Sequence, residues 1–437
     1  MPIMVYNTLT RRKEPFEPRS AGRVTIYQCG VTPYDYTHVG HARQYVFWDV
    51  VRRYLKYRGY QVFTVQNVTD IDDKIINRAR EEGRSPREVA EEFNEEFLST
   101  MDMLAVARPD VYPRVTDHID DIIKVIEVLI EKGHAYVVDG DVYYDVSSFP
   151  GYGKLSKRSL DEMKAGARVE VDERKEDPMD FALWKKAKPG EPSWESPWGP
   201  GRPGWHIECS TMALKYLGNG FDMHGGGTDL IFPHHENEIA QSEAYAGQEP
   251  FVRYWVHHEM LNVNAQKMSK SLRNFFLVKD VLKVYAPQVL RYFLLSVHYR
   301  SPANFGEAEL EAAKKGLERL WKAMDALRNA SESLGGVRAY VPDEEMRSFR
   351  EALDGAREAF TRAMDDDFNT ALAIGALHEL ATKANTFLAS LRVTEESGPG
   401  GMPGSAEASP GALETSSNSL DSSAVGGGER IRTLLVE

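Results

Sequence analysis

Two histidines and two lysines are spaced for work on phosphate. His38-Val-Gly-His41 follows an alternating strand pattern and precedes a helical one, so its imidazoles and the amides of a helix N-terminus would face an anion. Alone, such a string fits a capped turn with surface histidines just as well. Lys267-Met-Ser-Lys270-Ser271, flanked by Asn264 and Arg273, has no helical periodicity and reads as a mobile loop. Its ammonium groups suit charge that develops on transferring phosphates, and a closing loop would exclude water. A second group points to a metal. In His234-His-Glu-Asn-Glu238 the residues at i and i+4 share one helix face, so His234 and Glu238 can meet one ion. Cys29 ends a strand and Cys209 lies in Trp205-His-Ile-Glu-Cys209, and two thiolates, one imidazole and one carboxylate suit tetrahedral zinc. Taken singly, the His/Glu pair fits a helix surface contact and each cysteine a buried apolar residue; the joint context favours the metal.

The elements that must hold these groups are legible in outline. Residues 24–29 alternate as a strand, 45–57 carry apolar residues at helical spacing up to a stop at Gly59, and 60–66 read as a second strand. Strand, helix and strand within the first 70 residues predict a βαβ unit with a parallel sheet, whose ligands gather at the carboxyl ends of the strands. Cys29, His38, His41 and residues 67–73 fall there, Asp70, Asp72 and Asp73 as caps of the next helix. From 117 to 203 the pattern changes to a helix (119–132), a hairpin around Asp139-Gly140-Asp141 and a Pro/Gly/Trp-rich passage, which reads as an insertion. The sheet resumes with a helix at 205–217, a strand from Phe221, a turn at Gly225-Gly226-Gly227 and a helix at 234–246. Apolar strips through Leu310–Leu327 and Leu372–Leu388 make the C-terminal third helical. Residues 397–428, rich in Gly, Ser and Pro, are expected to be a flexible segment.

A chain of 437 residues, 42% hydrophobic and 27% charged, calls for several conventional folded domains. Two cysteines and no apolar leader exclude a disulfide framework and predict a cytoplasmic protein with no membrane partner. The net charge of −13 gives no hint of nucleic acid at the level of the whole chain. The local groups Arg11, Arg12, Lys13 and Lys185, Lys186, Lys188 are candidate phosphate contacts, although such runs are more often solvated surface.

The histidine and lysine strings, in this order, resemble the two signatures of the class I aminoacyl-tRNA synthetases. Together with Cys29-Gly-Val-Thr-Pro-Tyr-Asp, Asn67-Val-Thr-Asp-Ile-Asp-Asp73, Gly204-Trp-His-Ile-Glu-Cys209 and Asp229-Leu-Ile-Phe-Pro-His-His-Glu-Asn-Glu238, they resemble the cysteinyl-tRNA synthetase family from about residue 3 to 390. The resemblance implies an α/β chain: a Rossmann-type nucleotide-binding catalytic domain with a parallel sheet, an inserted connective domain and a C-terminal α-helical domain. The expected boundaries are 1–116 and 204–258 for the two catalytic halves, 117–203 for the insertion, 259–329 for the lysine loop and stem-contact region, and 330–437 for the helical tRNA-binding domain. It implies L-cysteine, ATP with Mg2+ and tRNA(Cys) as substrates, one zinc ion on Cys29, Cys209, His234 and Glu238, and a monomer. His38, His41, Lys267 and Lys270 are then catalytic, while Gly30, Thr69, Trp205, Gly227, Asp229 and Lys270 contact substrate or ATP. Asp229 would take the ribose hydroxyls. Thr69 and Trp205 would frame the cysteine, with a strand-end cap and a core aromatic as their alternatives. The short tail leaves little room for an anticodon-reading domain. Two rivals stand: a cysteine ligase of mycothiol synthesis, against which speak Asp72-Asp-Lys-Ile-Ile76, Asn237-Glu238 and the helical region, and a non-catalytic zinc-containing tRNA-binding module.

Overall fold

The structure, a computed structural model, describes residues 2–159, 162, 174–263, 266–267, 276–334 and 338–394, without the side chains of 266–267, 338–339 and 393–394. The expected flexible segment 397–428 and residues 268–275, with Lys270, lie outside them. Two compact units emerge, one of residues 1–313 with 364–370, the other of 314–363 with 371–437.

In the first unit a hairpin of β1 (Met4–Asn7) and β2 (Arg12–Pro15) leads into β3 (Arg23–Gln28), α1 (Val39–Tyr57) and β4 (Gln61–Gln66). Next come α2 (Asp73–Glu82), α3 (Pro86–Met103) and α4 (Ile119–Glu131), then β5 (Ala135–Val138), β6 (Asp141–Tyr144), β7 (Phe181–Lys186) and β8 (Gly201–Pro203). After these come α5 (Trp205–Leu217), β9 (Phe221–Gly227), α6 (Glu236–Ala246) and β10 (Val252–His258). The central sheet has the order β10-β9-β3-β4, and every pairing in it is parallel. The chain runs outward from β3 to β4, then returns to the other side of β3 as β9 and β10. A crevice therefore opens at the carboxyl ends of β3 and β9, where the order reverses. All of β9 is buried, as expected of a parallel strand covered on both faces. The 117–203 region supplies a separate antiparallel sheet, β5-β6-β7-β8.

Local chemistry explains where the elements start. His38 is the N-cap of α1, its Nδ1 accepting from the His41 amide at 3.3 Å. The helix thus begins at Val39 rather than at 45, because the cap and Gly40 hide the first turn from an apolar periodicity. Asp72 caps α2, accepting from the Lys74 amide at 2.9 Å. The other two aspartates do not cap: Asp70 accepts from the Thr116 hydroxyl at 2.6 Å, and Asp73 pairs with Lys185 at 2.7 Å. Ser85 and Glu88 form a capping box at the start of α3, with Pro86 in its first turn.

Gly225-Gly226-Gly227 is not a turn but the end of β9. A Cβ on Gly225 would lie 1.7 Å from the Val256 carbonyl oxygen of the neighbouring strand. Glycine here serves close approach, not reversal. The helix expected at 234–246 divides into a wide π-type turn, Ile231–His235, and α6.

The second unit is helical. Segments of Glu307–Ser333, Asp343–Asp365 and Thr370–Ser390 bury Leu334, Val341, Phe349, Ala384 and Phe387 in their own core. Among the described residues no helix is long and apolar enough to cross a membrane.

Candidate active site and metal centre

Cys29 follows the end of β3, Cys209 sits in the second turn of α5, and His234 and Glu238 flank the start of α6. Three separated segments thus deliver four side chains to one buried point, each of them no more than 5% exposed. Their ligand atoms all lie within 4.8 Å of one another. The two Sγ atoms are 3.9 Å apart, Cys29 Sγ is 3.7 Å from Glu238 Oε1, and His234 Nε2 is 3.0 Å from the same oxygen. The cysteines are free thiols. A tetrahedron with zinc to thiolate bonds of ~2.3 Å has a sulfur to sulfur edge of ~3.8 Å, so the donor set and its spacing fit zinc.

The charges fit as well. The hydrogen bond from Cys29 draws the Cys209 thiol down to about 6, while burial pushes Cys29 up. Burial alone would raise Glu238, but His224 and His234 outweigh it and hold the carboxyl down at about 2. Burial alone would lower His234, but Glu238 and Cys209 raise it to about 10. The thiols and the carboxylate of this dry pocket thus favour positive charge among them, as a divalent cation would supply.

Histidines that the spacing arguments passed over complete the surroundings. His224 Nε2 meets the second Glu238 oxygen at 2.9 Å, and its Nδ1 meets the Tyr27 carbonyl at 3.0 Å. His235 Nε2 is 3.3 Å from Cys29 Sγ, while its Nδ1 is 2.7 Å from His257. His206 and His234 share a 2.9 Å contact between their Nδ1 atoms. Burial drives His206, His235 and His257 well below their ordinary value, so these rings are neutral. Cys29, His224, His235 and Glu238 form a second compact donor set. The signal was present in the quoted strings, since His206 and His235 sit beside residues already chosen.

Around this centre the other expected residues take defined places. Trp205 opens α5, is 40% exposed and stacks on His234 with centroids 4.3 Å apart, so it is not a core aromatic. Thr69 is buried and donates to Glu208 at 3.0 Å while accepting from Asn67 at 3.2 Å. Gly30 donates its amide to Asn67 Oδ1 at 2.8 Å, and a Cβ there would strike the Asn67 carbonyl. Gly227 ends β9, and the exposed Asp229 follows in a short turn beside a cavity of about 590 Å³.

His38 and His41 stack at the N-terminus of α1, ring centroids 3.6 Å apart. The described residues on either side of 268–275 have backbone partners. Asn262 pairs with Lys267 in an antiparallel bridge, and Val39 and Val278 exchange backbone hydrogen bonds with Phe276 at 3.0 Å and Thr37 at 2.9 Å.

A family model described as the class I (C) tRNA synthetase catalytic domain matches residues 15–315, and one described as the DALR domain matches 359–408. A curated cysteine–tRNA ligase of Pelotomaculum thermopropionicum is 60% identical over 384 residues, covering 87% of this chain and 78% of that protein. The chain belongs to the cysteine–tRNA ligase family. It is therefore an enzyme of the class I synthetase fold. A cysteine–tRNA ligase of Thermococcus onnurineus is 55% identical over 91% of this chain and 83% of its own length. A solved methionyl-tRNA synthetase of Mycobacterium tuberculosis, in complex with methionyl-adenylate, shares the fold at a TM-score of 0.65 and 18% identity, covering 84% of this chain and 83% of that one. Within the cysteine–tRNA ligase family, the thiol cluster and the stacked histidines of this member lie at one crevice of one sheet.

Proposed function

We propose that the chain activates L-cysteine with ATP and transfers it to tRNA(Cys), with one zinc ion on Cys29, Cys209, His234 and Glu238. The observation that carries the reading is the buried set of these four side chains beneath the exposed ring of Trp205. This set is preferred to the one with His224 and His235 because it uses both thiols, the softest donors present. His224 then acts as an outer support, fixing the far oxygen of Glu238. Zinc supplies a soft Lewis acid that accepts a substrate thiolate far better than a serine hydroxyl, where shape alone would separate the two amino acids by only ~1–3 kcal/mol.

The remaining work falls to side chains and backbone. Trp205 and the Asn67–Thr69–Glu208 chain frame the amino acid, orienting its carboxylate. That carboxylate attacks the α-phosphate of ATP, a new carboxyl–phosphorus bond forms, and pyrophosphate leaves. His38, His41 and the N-terminus of α1 hold the phosphates, Lys267 and Lys270 stabilise charge on the leaving side, and Asp229 receives the ribose hydroxyls. A ribose hydroxyl of the terminal adenosine then attacks the acyl carbon and AMP departs. Magnesium accompanies ATP, and the enzyme acts as a cytoplasmic monomer.

The test is ATP–pyrophosphate exchange with metal analysis. One zinc per chain and exchange that depends on cysteine but not serine are expected, and Cys209→Ser should lower both together. Exchange with no amino-acid dependence, or zinc-free protein with full activity, would overturn the reading.

A further inference from the structure

Asp367 is a fully buried carboxylate to which the reaction outlined above gives no task, yet three donors converge on it. Its Oδ1 accepts from the Tyr6 amide at 2.8 Å and from the Tyr299 hydroxyl at 2.7 Å, and its Oδ2 accepts from Arg300 Nε at 2.6 Å, with His298 Nε2 3.7 Å from the same oxygen. Its own amide donates to the Met4 carbonyl at 2.9 Å. Asp367 and Phe368 take φ angles of 64° and 51°, in the left-handed region that side chains disfavour. Two such residues in succession persist only where their surroundings over-determine them. The neighbouring aspartates are engaged differently: Asp365 accepts from the Tyr54 hydroxyl at 2.6 Å and pairs with Arg58, whereas Asp366 forms an exposed pair with Lys13.

What Asp367 holds leads to the crevice by two routes. Arg300, seated with its guanidinium 4.4 Å above the Tyr6 ring, lines the cavity of about 590 Å³ together with Asp229 and Glu259. Tyr299 stacks on Phe47 of α1 with centroids 4.3 Å apart, and its carbonyl accepts from the Glu259 amide at 2.8 Å and from Arg43 of α1 at 3.2 Å. Just beyond, Ala303 and Asn304 pair in parallel with Leu261 and Asn262 of β11 (Leu261–Val263), and the Phe305 amide donates to the Asn262 carbonyl at 2.7 Å. Asn262 is the residue that pairs on its other side with Lys267. One segment, 298–305, is thus fixed by Asp367 at its start and supports β11 at its end.

A carboxylate that receives a guanidinium, a phenol and an amide fixes its partners in direction as well as in distance. Displacement of reacting groups by ~1 Å costs on the order of a hundredfold in rate, so a residue that sets the place of β11 and of the wall beside Asp229 bears on chemistry without touching substrate. We propose that Asp367 is a positioning residue for adenylate formation, acting through Tyr299 and Arg300 on the nucleotide side of the crevice. This rests on the ligase reading above, which supplies the reaction.

The test uses the full chain with Asp367→Asn, since asparagine tolerates a positive φ but leaves Tyr299 and Arg300 one acceptor oxygen between them. Without tRNA each competent site forms adenylate once, so the amplitude of the pyrophosphate burst counts intact sites and its rate reports how well they are arranged. The rate should fall at least tenfold and KM for ATP should rise, while the amplitude and KM for cysteine stay within twofold. Backbone amides of 259–263 and 298–305 should exchange with deuterium at least tenfold faster. Tyr299→Phe, which keeps the ring on Phe47 and removes one donor, should slow the burst about threefold at full amplitude. Asp366→Asn, at the exposed neighbour, should behave as the parent. A smaller amplitude at unchanged rate would make Asp367 a stability residue only and overturn the proposal, as would faster amide exchange with an unchanged burst. A parental chain without a cysteine-dependent burst would defeat the ligase reading alone, since amide exchange in the same variants still reports on what Asp367 holds.

Discussion

Trp205 is the residue on which a simple reading of hydrophobicity and a chemical one part company. An indole that is 40% exposed at the first position of a helix contributes little to the core, yet its face lies on His234 at 4.3 Å. Trp205→Ala should therefore leave the melting temperature within a few degrees and raise KM for cysteine on the order of tenfold, read by exchange kinetics at varied cysteine. A loss of stability with unchanged KM would make Trp205 a packing residue after all. At this scale the sequence was most legible where chemistry is rare. Two cysteines in 437 residues leave few ways to build a thiol site, and a His/Glu pair at i and i+4 declares its face. His224 and His257 were illegible for a physical reason: they lie on β9 and β10, and only the lateral order of the strands brings them beside Glu238 and His235.

Elements set the precision of that site, and two contacts within them are decisive. The strand-end glycines are the first. Because a Cβ at Gly225 would sit 1.7 Å from the Val256 carbonyl, Gly225→Ala should destabilise by about 3 kcal/mol through forced separation of β9 from β10, measured by urea unfolding. Gly355, where a Cβ meets nothing within 4 Å in the helix Asp343–Asp365, should by contrast gain up to about 1 kcal/mol as alanine. The second is Asp49, a buried carboxylate on α1 that receives Arg52, Arg53, Arg291 and the Ala107 amide. Burial pushes its pKa up, but these donors outweigh it and hold the carboxyl below the usual range. The ionised form is thus favoured on folding. Its stabilisation is present above the unfolded value of about 4 and fades as pH falls through the lower folded value. Asp49→Asn should cost on the order of 3 kcal/mol at pH 6, and the gap to the parent should narrow only below about pH 4. A gap that narrowed between pH 6 and 8 would assign the effect to another group. The approach of Val256 to Gly225 and the pairing of Asp49 with Arg291 and Ala107 could not be read from sequence, since both depend on which distant segment lies opposite. The same limit hid the helix Asp343–Asp365, whose apolar strip is thin, and turned three glycines of a buried strand into an apparent turn.

The whole molecule divides its labour between two units, and this division can be tested without touching any reacting group. The unit of residues 1–313 with 364–370 carries the crevice, the thiol cluster and the stacked histidines. The other is helical, matches the DALR domain over 359–408 and has a small core of its own. In that core Phe349 and Phe387 stack with centroids 4.4 Å apart, both nearly fully buried. Removing one ring leaves a cavity that so small a core cannot refill, at a cost of about 3–5 kcal/mol for Phe387→Ala. That is a large share of what a unit of this size has available. The lesion should unfold the helical unit at a lower temperature while the catalytic unit keeps its own core, giving two transitions by calorimetry where the parent shows closer ones. Cysteine-dependent ATP–pyrophosphate exchange should then survive, whereas charging of tRNA should fall by at least tenfold, because only the second reaction needs tRNA held along its length. A parallel loss of exchange and charging would show instead that the two units fold as one cooperative body and that the adenylate site depends on both.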